Sequence, residues 1–117
     1  CPDVTVETVP STHEAWTFAC RECDAVVHAA SVGIHADEPA LLDSKAFRPG
    51  QLLYDLIYMF PETAIMASAR RAGARVANGL GMLLHQGALA FRIWTGVQPP
   101  IPLMRRALEI AVYGKGA

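Results

Sequence analysis

The stretch "QLLYDLIYMFPETAIMASARRAGARVANGLG", Gln51 to Gly81, decides the fold. Its opening run, "QLLYDLIY", is apolar on both faces of a period-two alternation, as expected of a strand covered on both sides. After "PET" the spacing becomes helical over "AIMASARRAG", and Gly73 stands where a left-handed cap would close the helix. "ARVAN" then reads as one more short strand. Strand, helix and strand in so short a span imply parallel pairing, because the helix carries the chain back across the sheet.

The same reading extends in both directions. Upstream, "DAVVHAASVG" is a second compact apolar run ending in small residues, again suited to the interior of a parallel sheet. Before it, "STHEAWTFACREC" sets Ser11 and Glu14 three apart, with Ala15, Phe18 and Ala19 on one face, which predicts a capping box opening a helix. "DVTVE" alternates Val4 and Val6 with polar neighbours and predicts a short strand. Downstream, helices are expected over Gly79 to Thr95 and Leu103 to Tyr113, separated by "GVQPPIP", whose prolines enforce a break. The predicted order is β-α-β-β-α-β-α-α, an α/β sheet with right-handed crossovers and two C-terminal helices.

Bulk properties narrow the function. The chain has 117 residues and is 52% hydrophobic, enough for one small packed unit. Ten basic residues nearly balance eleven acidic ones, which argues against nucleic acid or an anionic membrane as partner and favours a small ligand. No apolar run approaches the ~18 residues of a membrane span, and "CPDVTVE" lacks the features of a signal peptide, so a cytoplasmic protein is expected. A first residue of cysteine rather than methionine implies a start inside a longer polypeptide. Cys1, Cys20 and Cys23 are an odd count and are read as free thiols. "CREC" has metal-site spacing, with His28 and His35 downstream, but lacks the second close pair of a structural zinc site, and no metal is expected.

In an open parallel sheet, ligands bind where loops leave the carboxyl ends of the strands. Three segments should meet there: "HAASVG" after a strand ending near His28, "YDLIYMFPET" after one ending near Tyr58, and "NGLG" after one ending near Ala77. All are rich in small or hydroxyl-bearing residues. On the helix that follows, His85 and Arg92 share the polar direction, and His85 is read as a solvated face residue. Gln86 instead falls in a stripe with Met82, Leu89 and Ile93. If that stripe is packed, its amide needs partners, supplied either by a hydroxylated ligand or by a neighbouring loop.

"NGLGMLLHQGALAFRIWTG", with "YDLIYMFPET" and "DAVVHAASVG" before it, resembles the C-terminal half of the shikimate dehydrogenases, from about Asp24 to Leu108. The resemblance implies a partial Rossmann-like sheet, with residues 1–78 as the C-terminal half of an NADP-binding domain. Residues 79–117 would be helices that pack back on an N-terminal catalytic domain. It implies reduction of 3-dehydroshikimate to shikimate by NADPH, in the route to chorismate and aromatic amino acids. Gln86 and Tyr58 would bind substrate. Gly79, Met82, Leu56, Ser31, Val32 and Gly33 would lie at the nicotinamide end of the cofactor. The family's catalytic lysine and aspartate, and its G-x-G-G-x-G loop, are not in this chain, so no catalytic residue is assigned and the 117 residues alone are expected to be inactive.

Two departures stand out. The family's Asn-Ala-Thr is His28, Ala29 and Ala30 here, and its Asn-Pro after the tyrosine is Met59 and Phe60. The segment that would choose between NADP and NAD lies upstream, so a quinate or shikimate dehydrogenase using NAD is the nearest alternative. A non-enzymatic module whose helices dock a partner is an alternative of another class. A homodimer is compatible with either.

Overall fold

The computed structural model describes residues 2–114, so the thiol expected at Cys1 lies outside the described residues. The elements are α1 (His13–Glu22), β1 (Ala25–His28), β2 (Leu52–Asp55), α2 (Ala64–Arg71), β3 (Arg75–Ala77), α3 (Leu80–Thr95) and α4 (Ile101–Tyr113), with a 3-10 turn at Ser44–Ala46. The strands form one parallel sheet in the order β1-β2-β3, with Ala25 opposite Leu52 and Leu52 opposite Arg75. β2 is therefore central, as its apolar run implies. β1, expected in the interior, is an edge among the described residues, and Val27 on it is 62% exposed.

The predicted first strand is not formed. Val4 and Val6 are exposed, and residues 3–7 pair with nothing in the sheet. Alternation only makes a segment fit for a strand, and without a ladder partner its backbone stays with water. The helix that follows is capped one residue later than the Ser11 reading: the Thr12 hydroxyl accepts the Ala15 N–H at 3.2 Å. Its packed face is also rotated. Trp16 and Cys20, four apart, lie against the core, while Phe18 is 72% exposed.

One face of the sheet carries the core. Val26, Leu53 and Val76, in register across the strands, meet Ile65, Met66 and Ala69 of α2, together with Leu42, Ala46 and Phe47. The inward row of β2 is not uniformly apolar: it runs Gln51, Leu53, Asp55, all buried. Gln51 ties α1 to the sheet. Its amide donates to the carbonyls of Cys20 at 2.7 Å and Cys23 at 2.6 Å, and its oxygen accepts the Arg48 N–H at 2.8 Å. Carbonyls left over at the end of α1 thus find a donor. Gln51→Leu, similar in size but without the amide, should lower stability by about 1 kcal/mol, since the Arg48 N–H loses its acceptor while the Cys20 carbonyl keeps the Cys23 N–H and the Cys23 carbonyl keeps Arg48 Nη2. An unchanged urea midpoint would contradict this account.

The C-terminal part of the chain follows the prediction closely. α2 is capped by Thr63, and Gly73 just beyond it has φ +89°. α3 ends at Gly96 with φ +69°. Among the prolines, Pro102 sits in the first turn of α4, where a missing N–H costs nothing, so the helix starts at Ile101, ahead of the predicted Leu103. α3 and α4 pack against each other, and Leu83, Leu84 and Gly87 of α3 and Met104, Ala107 and Leu108 of α4 line an apolar groove between them. Among the described residues no helix is long and apolar enough to cross a membrane.

Candidate functional site at the carboxyl edge of the sheet

β2 ends at Asp55, short of the predicted Tyr58. The cause is the Asp55 side chain, whose Oδ1 accepts the Ile57 N–H at 3.1 Å and turns the backbone out of the ladder. The same Oδ1 lies 3.0 Å from His28 Nδ1, and Oδ2 accepts the Thr63 hydroxyl at 2.5 Å. One buried carboxylate thereby joins the end of β1, the turn after β2 and the cap of α2. Burial by itself would raise the Asp55 pKa; the hydrogen bonds from His28, Thr63 and Ile57 outweigh it and hold the carboxyl below its ordinary value.

The three loops meet around this point. Gly33 has φ +105°, and a Cβ there would stand 3.2 Å from Ile57 Cδ1, so the "SVG" loop lies on the end of β2. The loop is closed by Glu38, whose carboxylate accepts the N–H groups of His35 at 3.1 Å and Gly33 at 2.6 Å; these backbone donors lower its pKa. From β3, Gly79 donates its N–H to the Ile57 carbonyl at 3.0 Å and sits directly on the Leu56 backbone, where any Cβ would overlap the Leu56 carbonyl. Asn78 secures the junction. Its amide donates to the Phe60 carbonyl at 3.0 Å and to the Tyr113 hydroxyl at 2.6 Å, and its oxygen accepts the Leu80 N–H at 3.1 Å. "NGLG" is thus a junction in which Asn78 supplies the polar contacts and Gly79 the close approach.

Gly33, Leu56, Ile57 and Gly79 are therefore gathered at one edge, with Tyr58 next in the chain after Ile57 and Ser31 and Val32 in the loop before Gly33. Met82 is one turn into α3, and beside it Gly81 would present a Cβ to open space. Gln86 lies farther out, about 10 Å along the helix axis from Gly79. The expected enclosure of Gln86 is not found: Gln86 is exposed, as are Met82, Leu89 and Ile93, and the packed face of α3 is Leu80, Leu84 and Ala88. The stripe is real, but no described residue covers it. His85 and Arg92 are exposed, in keeping with the polar sector.

Sequence reasoning missed Asp55, Thr63 and Asn78. A signal for Asp55 was present, since a carboxylate on the inward register of a central strand must be paired. Cys20 and Cys23 are free; burial, then the neighbouring Cys23, push the Cys20 thiol up, which disfavours the thiolate needed for redox or metal chemistry.

A parallel sheet with three loops converging on its carboxyl edge, followed by a helical hairpin, defines a Rossmann-like α/β segment. Residues 79–109 match the family model described as the shikimate 5'-dehydrogenase C-terminal domain. Across most of its length this chain is similar to the C-terminal part of the shikimate dehydrogenases. It is 51% identical over 93 residues to the shikimate dehydrogenase (NADP(+)) of Citrifermentans bemidjiense, covering 80% of this chain and 32% of that protein. The shikimate dehydrogenase of Thermus thermophilus, solved in complex with NADP(H) and shikimate, superposes with a TM-score of 0.73 at 34% identity, over 81% of this chain and 36% of the other. Quinate dehydrogenase from Corynebacterium glutamicum in complex with NAD gives a TM-score of 0.73 at 29% identity, over 80% and 33%. The chain thus spans about a third of the length of these relatives.

Proposed function

We propose that these residues form the nicotinamide-side wall and part of the substrate pocket of a shikimate dehydrogenase that interconverts 3-dehydroshikimate and shikimate with NADP in the cytoplasm. The observation that carries this reading is the convergence of Gly33, Leu56, Ile57 and Gly79 at the carboxyl edge of the sheet, with Tyr58 following Ile57 in the chain. The residues present suit one end of a dinucleotide. Gly33 and Gly79 keep the loops close to one another, and Gly81 leaves bare backbone on the first turn of α3. When bound, the dinucleotide supplies the hydride.

This chain's own residues bind and orient. Tyr58 and Gln86 offer a phenol and an amide to the hydroxyls of a polyhydroxylated ring, while Leu56 and Met82 present apolar surface to the flat nicotinamide. Proton transfer to the developing alkoxide is assigned to residues outside this chain, because the lysine and aspartate that the family resemblance implies for that step are not among these 117 residues. The exposed stripe of Met82, Leu89 and Ile93 supports docking of residues 79–117 on an N-terminal catalytic domain, which would enclose Gln86.

The test uses the complete polypeptide that carries this chain. It should oxidise shikimate with NADP+, followed by NADPH absorbance, and Gln86→Ala should reduce kcat/KM by ~1–3 kcal/mol because substrate hydroxyls lose their partner in a dry pocket. His85→Ala serves as the control, with an effect within ~0.5 kcal/mol. Faster turnover of quinate with NAD+ would assign the chain to the quinate enzymes. Wild-type kinetics in Gln86→Ala would remove Gln86 from the pocket.

A further inference from the structure

The His28–Asp55 pair lies at the centre of the junction, and its proton arrangement is dictated by its partners. Asp55 is acceptor-only as a carboxylate, so the hydrogen in the 3.0 Å contact belongs to His28 Nδ1. The Thr63 hydroxyl spends its one hydrogen on Asp55 and uses a lone pair for the Met66 N–H at the start of α2. His28 and Asp55 are direct partners in the β1–β2 register, and the His28 carbonyl accepts the Leu56 N–H at 3.1 Å. Both the side chain and the backbone of His28 thus hold the point where β2 turns into its loop.

Burial adds a second constraint. The ring is buried, and Nε2 has no hydrogen-bond partner among the described residues. A buried polar atom left unpaired costs free energy, so Nε2 contributes nothing to explain the residue; only the Nδ1 contact does. From Asp55 the constraint passes to the Ile57 N–H. Ile57 is the residue whose carbonyl receives Gly79 and whose side chain meets Gly33, and Tyr58 is next in the chain.

We propose that His28 is the positioning residue for Tyr58: by donating from Nδ1 to Asp55 it fixes the carboxylate that pins the Ile57 peptide and so sets where the tyrosine stands. This rests on the placement of Tyr58 in the substrate pocket. The two amide variants separate it from a packing role. An Asn side chain places its nitrogen as many bonds from Cβ as Nδ1, and a Gln side chain places it one bond farther, toward the position of Nε2.

In the complete polypeptide, His28→Asn should keep the KM for shikimate within about twofold of wild type, and His28→Gln should raise it about tenfold with little change in kcat. Tyr58→Phe should raise the same KM. If Tyr58→Phe leaves KM unchanged, the pocket placement fails and the proposal fails with it. If Tyr58→Phe raises KM while folded His28→Gln does not, or if Asn and Gln are equally impaired, the positioning role alone is wrong. Nitrogen-15 spectra of the wild-type imidazole give a reading that needs no variant to fold: a proton on Nδ1 with a hydrogen-bonded shift supports the proposal, and a ring lacking it overturns it.

Discussion

Asp55→Ala should be among the most destabilising single changes in this chain, costing about 3–5 kcal/mol. It deletes the shared acceptor of three buried donors, His28 Nδ1, the Ile57 N–H and the Thr63 hydroxyl, which come from three separate parts of the chain. Removing one partner of a buried polar contact leaves the other desolvated and unpaired, which costs more than the contact contributed. Only the Thr63 hydroxyl can rotate toward something else. Against a total stability of ~5–15 kcal/mol for an ordinary domain, this is a large fraction. Urea unfolding followed through Trp16, which packs on the core, is the direct measurement. A shift under 1 kcal/mol, on the order of a surface substitution, would show that the network is not bearing on the fold.

The same carboxylate predicts a pH dependence. Its folded pKa is held below the unfolded value of ~3.9, so over acid pH the unfolded chain binds the proton more readily. The contribution to stability is therefore fully present above about pH 4 and is lost as pH falls from there through the folded value. Asp55→Asn, which has no such proton to bind, should show a flatter stability profile than wild type below about pH 4.

Gly79→Ala should be comparably severe, at about 3 kcal/mol or more. The obstruction is not a side chain that can turn away. A methyl group at residue 79 would run into the carbonyl, the carbonyl carbon and the Cα of Leu56, and the hydrogen bond from Gly79 N–H to the Ile57 carbonyl holds the two segments together. Relief requires the turn after β3 to move off the end of β2, breaking that bond and shifting Tyr58. Gly81→Ala is the natural comparison. Its Cβ would meet nothing within 4 Å, and alanine favours a helix over glycine by ~1 kcal/mol, so this change should leave stability equal or higher. Equal tolerance of both substitutions would refute the close approach of β3 and β2.

Periodicity in the sequence determined the parallel strand–helix–strand unit over residues 51–78, the cap at Gly73, the two final helices and the proline break between them. Each of these depends on residues near one another in the chain. Local pattern also told which loops leave the carboxyl edge, and motif resemblance pointed to Tyr58, Gly79 and Gln86. What it did not decide was which polar residues inside apolar runs are buried. Gln51 is enclosed because Cys20 and Cys23, from the end of α1, bring their carbonyls to it, and Asp55 because His28 stands opposite in the register. Gln86, in a stripe equally apolar by its spacing, is open because no described element covers that side of α3. The missing strand at Val4 and Val6 follows the same rule. A helix or strand carries its own periodicity, but its burial depends on the element packed against it, and that partner is set by the tertiary fold.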